Sequence, residues 1–363
     1  MADFFEIDFL DVESNKSGDA IPLRYQVGDA SRIHVVDGGY QDTGDKIVSH
    51  IKAYYDAPAF IDYVVVTHPD GDHAGGLRKI FEEFEVGELW MLRPWIYADE
   101  LIDRFSRFTS VENLVRRLKD IYPNVASLEE LADEQDIPIY EPFQGARIGE
   151  FTVLAPSKSR YFDLVVESDK TPESVKDAQQ TAPASLGAFI QRTAVQAINY
   201  LRAAWGVEIF SSEETSYENE MSVIQYGNLC GLRVLLTGDA GRAGLSEAAD
   251  YAPYAGLVLP GIDRFQVPHH GSRRNVSTDV LNRWLGPRLP SKPVDGEEKL
   301  QAIISAAKKD EDHPRKAVIR AVIHRGAKTY TTEGAPLRIG YNTPDREGWS
   351  AATKIPYPEE QEE

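Results

Sequence analysis

Thr67-His-Pro-Asp-Gly-Asp-His-Ala-Gly-Gly76 is the stretch from which the rest of this chain is read. Four potential metal ligands, His68, Asp70, Asp72 and His73, fall within six residues. They follow an apolar run, Tyr63-Val-Val-Val-Thr67, that reads as a buried strand. Gly75 and Gly76 then let a helix, Gly75 to Phe84, pack close behind. The ligands therefore project from a loop at a sheet edge. A lone His-x-Asp is usually a capping or surface pair. Two imidazoles and two carboxylates packed around glycines instead suit a divalent ion of the zinc or manganese class.

Three other strands end in the same chemistry: Ile33-His-Val-Val-Asp37-Gly-Gly, Arg233-Val-Leu-Leu-Thr-Gly-Asp239 and Phe265-Gln-Val-Pro-His-His-Gly-Ser272. Further strand signals lie at Phe5–Leu10, Pro22–Val27, Ile137–Tyr140, Glu150–Leu154, Met221–Tyr226 and Gly256–Pro260. Lys46–Tyr55 and much of Asp99–Gln135 read as helix, with Ser127 and Glu130 as a capping box. This alternation predicts an α/β sandwich whose helices cover sheet faces. The polar stretch Ser157–Ser185 is expected to be a surface excursion. Leu186, Ile190, Ala194, Ala197, Leu201 and Trp205 follow at helix spacing and read as core packing. The expected organisation is one domain, 1–345, with helical insertions at about 97–136 and 157–207. Residues 346–363 form an acidic, Pro-rich tail expected to fray.

Apolar residues make up 42% of 363, enough for a substantial core. Against 58 acidic residues stand 39 basic ones, a net charge of −19. That disfavours a duplex-coating protein, since such affinity comes from Lys and Arg neutralising phosphates. It leaves room for an enzyme gripping nucleic acid through metals and a local basic patch. A single cysteine, Cys230, rules out disulfide frameworks and Cys-rich zinc sites. The start has no basic segment followed by an apolar run, and no apolar stretch reaches about 18 residues. A cytoplasmic protein with no membrane partner is expected.

Together the motifs resemble the metallo-β-lactamase superfamily, and within it the branch related to the hydrolase domain of the competence DNA-uptake protein ComEC (ComEC/Rec2-like). The shared pieces are His-x-Asp-x-Asp-His-x-Gly-Gly at His68–Gly76, Asn219-Glu-Met-Ser222, Leu235-Leu-Thr-Gly-Asp239, His269-His-Gly-Ser272 and His313-Pro314 before a helix. The resemblance implies a four-layer αββα metallo-β-lactamase sandwich with a largely helical insertion and up to two divalent ions, zinc or manganese. It makes Asp72, His73 and His270 ligands of one ion, with Asp239 bridging to a second held by His68 and Asp70. Asp37 and His269 would stand behind the ligands and orient them. The chain departs from the superfamily's fullest pattern, having Asp70 in place of a histidine and no histidine between His73 and His269. The second site is therefore expected to be oxygen-rich and to favour Mn²⁺ or Mg²⁺, completed by Asn219 or a substrate phosphate, unless only one ion binds.

The function so implied is a hydrolase of phosphodiesters, a nuclease or phosphodiesterase acting on DNA or RNA through a metal-bound hydroxide. Asp72 could also accept a proton. Pro314 at a first helical position would put His313 at a helix N-terminus, where it could bind phosphate or protonate the leaving oxygen. Arg273 and Arg274, with Ser272 and Asn219, are candidate substrate contacts, and Arg315 and Lys316 form a second basic pair. Equally, the basic pairs balance nearby acids. His34, His50 and His324 read as structural. Two other functions fit: a weakly active or non-catalytic subunit of a multi-protein system such as phage defence, partnered through the helical insertion, or a hydrolase of a small ester, thioester or lactone.

Overall fold

The computed structural model describes residues 2–106, 108–168, 170–171 and 200–363. Its first sheet contains β1 (Phe4–Phe9), β2 (Ala20–Val27), β3 (Ala30–Gly38), β4 (Phe60–Val65), β5 (Glu85–Trp90) and β6 (Ile139–Tyr140), with β15 (Leu337–Tyr341) beside β1. The second contains β7 (Arg147–Ile148), β8 (Phe151–Ala155), β10 (Ile224–Leu229), β11 (Leu232–Leu236), β12 (Arg264–Gln266), β13 (Leu300–Ile304) and β14 (Ala327–Thr331). In spatial order these run β15-β1-β2-β3-β4-β5-β6 and β14-β13-β12-β11-β10-β8-β7.

Alternation explains why the sheets face each other. Phe5, Ile7, Phe9, Ile21, Leu23 and Tyr25 point inward and meet Phe151, Val153, Val234, Leu236 and Ile303 of the second sheet. The opposite faces are also apolar, because β3 to β6 and β11 to β14 pair in parallel and parallel strands return through helices that cover the sheet. Helices Gly44–Tyr54, Arg78–Glu83, Val111–Ile121, Pro123–Glu134 and Lys158–Glu167 close one side. Arg242–Tyr251, Thr278–Leu285 and Lys316–Ile323 close the other, giving the four-layer αββα order. No helix among the described residues is long and apolar enough to cross a membrane.

Several expectations fail, each for a local reason. Ser157 opens a helix rather than a surface excursion. Its Oγ accepts the Arg160 N–H at 3.3 Å, and Tyr161, Leu164, Val165 and Val166 of Lys158–Glu167 are buried. Leu201 is not helical, since Tyr200–Arg202 is a strand (β9) paired antiparallel with Glu360–Glu362 (β16), and Trp205 lies in the turn after it. Leu186, Ile190, Ala194 and Ala197 lie outside the described residues, as does the polar stretch from 172 to Ser185. Ser127 is inside the helix that Pro123 opens, so it caps nothing. Gly256–Pro260 is not a strand: Gly256, at φ 75°, takes a left-handed conformation that ends the turn Ala252–Ala255.

The tail does not fray. Arg346 reaches Glu6 Oε2 and both oxygens of Asp8 at 2.8 Å. Trp349 bonds Tyr54, the Ile355 N–H bonds the Thr329 carbonyl, and Gln361 and Glu362 are buried.

Candidate metal centre

Two parallel strand pairs, β3 with β4 and β11 with β12, lead into the segments whose side chains converge at one edge of the sandwich. β11 ends at Leu236 and is followed by Thr237-Gly238, where Gly238 is left-handed at φ 50° and sits against Thr67; a Cβ there would stand 2.9 Å from the Thr67 Cβ. This packing turns Asp239 into the interior. Its Oδ1 lies 3.3 Å from His73 Nε2 and 3.7 Å from His270 Nε2, and His270 Nε2 is 3.9 Å from Asp72 Oδ2. Ligand atoms of Asp72, His73, Asp239 and His270 all fall within 4.8 Å of one another. Nitrogens bound to a tetrahedral zinc-class ion at about 2.0–2.1 Å stand roughly 3.3 Å apart, so this group fits one ion. Asp239 Oδ2 faces the other way, 3.9 Å from His68 Nε2 and 3.6 Å from His269 Nε2.

Hydrogen bonds behind the rings fix which nitrogen is offered. Asp37 accepts the Thr67 N–H at 2.8 Å, the Thr67 hydroxyl at 2.6 Å and His73 Nδ1–H at 2.7 Å. Because Thr67 donates to Asp37, its oxygen accepts from His68 Nδ1–H, at 3.1 Å. His270 Nδ1–H donates to the Ser305 carbonyl at 2.9 Å. Each ring therefore turns its Nε2 inward, the atom on which a cation would take the place of a proton. His68 Nε2, His73 Nε2, His270 Nε2 and Asp239 Oδ1 are all buried without a hydrogen-bond partner. A buried polar atom left unpaired is costly, and a cation among Asp72, His73, Asp239 and His270 would satisfy three of the four, leaving His68 Nε2 on the other side of Asp239.

His68 and Asp70 come from the loop after β4, as the sequence suggested. Asp72 and His73 lie instead on a one-turn helix, Gly71–Ala74. Gly76 backs this turn against β3: a Cβ there would stand 2.1 Å from the Gly38 carbonyl oxygen. Asp70 caps nothing with its side chain; Oδ1 takes Lys170 at 2.7 Å while Oδ2 stays 4.0 Å from His68 Nε2.

The charges agree with a cation site. Burial opposes charge on His73, but Asp239 and Asp37 outweigh it and raise its pKa well above the usual value. Burial likewise opposes charge on His270, yet Asp239 and Asp72 bring it to about 9. Burial would raise Asp239, and the surrounding His269, His73 and His270 instead hold it far below the normal range.

The remaining candidates are more scattered. His313 stacks 5.3 Å from His269, ring to ring, with Nδ1 3.2 Å from Asp310 Oδ2. Pro314 is not a first helical residue, because the helix begins at Lys316. Nor is that helix end open to an anion: Glu362 takes the N–H groups of Lys316 and Ala317 at 2.8 and 2.9 Å. Arg273 donates to the Glu363 carbonyl at 2.9 Å, Arg274 pairs with Glu213, and Arg315 with Asp312 at 2.9 Å. Ser272 is buried and accepts the Arg274 N–H at 3.3 Å. Asn219 lies 3.0 Å from His269 Nδ1.

Three contributors went unnoticed in the sequence. Asp19 is buried, accepts Gln266 Nε2 at 2.9 Å and lies 3.9 Å from His73 Nδ1. Asp310 holds His313, and Asn275 holds His269 at 2.9 Å. Asp19 and Asp310 are acids in loops, and nothing local distinguishes them from surface acids.

A model of the metallo-beta-lactamase superfamily matches residues 27–137, which include Asp37 and the four ligand candidates from His68 to His73. The two large sheets flanked by helices match that fold. No curated protein sequence matches the chain. Among solved structures it is similar to the hydrolase AbOPH of the beta lactamase superfamily, at 12% identity over 68% of this chain and 75% of that one, with a TM-score of 0.32. It is also similar to a variant of CmlA beta-hydroxylase, at 11% identity over 93% of this chain and 53% of that one, with a TM-score of 0.37. The chain thus spans about half the length of the latter.

Proposed function

We propose that this chain is a metal-dependent hydrolase of phosphodiesters, with DNA or RNA as the substrate class. One observation carries the metal-dependent part: a buried carboxylate, Asp239, whose two oxygens face two separate groups of imidazoles where both sheets end. The motif resemblance to a DNA-uptake protein's hydrolase domain, together with the basic pairs, supports a phosphodiester. A divalent ion held here would supply Lewis acidity, which lowers the pKa of a bound water and stabilises charge on phosphoryl oxygens.

The chain's own groups hold and orient. Asp72, His73, Asp239 and His270 would hold the ion, and Asp37 fixes the His73 ring. Burial would raise Asp72, but His270 and His73 hold it below the usual carboxylate range, so it stays ionised beside the reacting atoms. Burial lowers the His313 pKa against the pull of Asp310, so the ring is neutral at neutral pH. It therefore acts by hydrogen bonding and by passing a proton, not as a fixed positive charge.

The test is turnover of a single-stranded oligonucleotide and of bis-p-nitrophenyl phosphate with Mn²⁺ or Zn²⁺. Asp239→Asn and Asp72→Ala should each lower kcat by more than the ~10–100-fold that losing an outer partner costs. Absence of any phosphodiester turnover by the wild type refutes the reading and leaves a binding subunit ahead. Hydrolysis of a small ester, thioester or lactone is the second reading. It is favoured by Glu362, whose carboxylate already fills the helix end where a polynucleotide phosphate would dock.

A further inference from the structure

Residues 269 to 271 run through three consecutive left-handed conformations, at φ 47°, 55° and 84°. In an extended strand, neighbouring side chains point to opposite faces. Here the turn brings both imidazoles onto one carboxylate, His270 Nε2 at 3.7 Å from Asp239 Oδ1 and His269 Nε2 at 3.6 Å from Oδ2. Left-handed backbone in residues with a Cβ is unfavourable, and it persists where surrounding structure or function demands it.

We infer that His269 is a direct ligand of a second divalent ion, completing with His68, Asp70 and the outer oxygen of Asp239 a site of two nitrogens and two oxygens. This rests on the metal-dependent reading above, and it replaces the expectation that His269 merely supports a ligand. Asn275 Nδ2 donates to the Asp239 carbonyl at 2.8 Å, which leaves its Oδ1 as the acceptor for His269 Nδ1–H at 2.9 Å; Asn219 Nδ2, 3.0 Å from the same nitrogen, donates instead to Thr215 Oγ1 at 2.8 Å. His269 Nε2 then faces Asp239 Oδ2 at 3.6 Å, on a side chain that is partly exposed where the other three rings are buried. Across the site, buried His68 Nε2 has no partner and lies 3.9 Å from the same oxygen and 4.0 Å from Asp70 Oδ2. The histidine that the sequence lacks after His73 is in effect supplied from position 269. Two imidazoles shift the preference from Mg²⁺ towards zinc-class ions.

Metal-free protein titrated with Co²⁺, followed by visible absorption and by equilibrium dialysis with elemental analysis, tests this. The wild type should bind two equivalents. His269→Ala should keep one and lose the other, its affinity falling by more than ~100-fold. Asp70→Ala, on a different loop, should lose the same equivalent, so the result does not depend on one variant folding well. Far-UV circular dichroism of each variant checks the fold. Two equivalents of undiminished affinity in His269→Ala overturn the inference while leaving the group around His270 intact. A wild type that binds one ion, lost in His270→Ala, also overturns it. A wild type that binds none overturns this inference and the metal-dependent reading together.

Discussion

Arg273 and Arg274 are both tied to acceptors, the Glu363 carbonyl and Glu213, yet these ties are weak. An exposed ion pair contributes about 0.2–1 kcal/mol and is screened by salt, so an incoming phosphate can replace it. If the substrate is a polynucleotide, replacing both arginines with Ala should raise KM more than it lowers kcat. Each lost contact should flatten the log–log salt dependence of kcat/KM by roughly 0.7 on single strands. Identical slopes in both proteins would remove the arginines from substrate binding. At this scale the legible residues were those packed densely in sequence, His68 to His73, or standing at a strand end, Asp239 and His270. Asp19 was not legible, because its meaning arises only when Gln266, 247 residues away, donates to it. His269 could be seen but not placed: adjacent histidines look equivalent until the left-handed turn assigns each an oxygen.

Among the elements, the strands were read most reliably, since alternating or continuous apolar runs survive in the sequence whatever they pack against. The last residues were misread because charge and proline imitate a solvated end. Arg346 instead lies buried on Glu6 and Asp8, acids whose side chains are fully buried. Without Arg346, Glu6 keeps Arg24 and Arg338 while Asp8 is left with His50 and Tyr55, so Arg346→Ala should destabilise by about 3 kcal/mol, the lower end for breaking a buried pair. Glu362→Ala removes only the carboxylate from the first turn of Lys316–Ile323 and should cost about 0.5–2 kcal/mol. Urea midpoints of the two variants separate these cases. Two wild-type midpoints would mean the tail contributes nothing to stability. The helix Lys158–Glu167 was missed for a similar reason: charged residues interrupt its apolar face, and that face shows only once it packs.

At the scale of the molecule, pH should act through buried acids. Glu208 is held by His324, Arg325 and Thr278. Burial would raise its pKa, but these bonds bring it from 4.5 down to about 2. A folded value below the unfolded one means the contribution is complete above pH 4.5 and fades as pH falls towards 2. Glu208→Gln should therefore show a shallower loss of stability across that window than the wild type, measured as urea midpoint against pH. Equal slopes would show that Glu208 does not drive acid unfolding. The centre itself is divided between the two halves: His68, Asp70, Asp72 and His73 follow β4 of one sheet, and Asp239, His269 and His270 follow β11 and β12 of the other. An ion held from both sides would be a rivet through the seam of the sandwich, and its binding energy would also be adhesion between sheets. Drawing it out with a chelator should speed amide hydrogen exchange in the loops along that one edge, while the strands sealed between the sheets keep their protection.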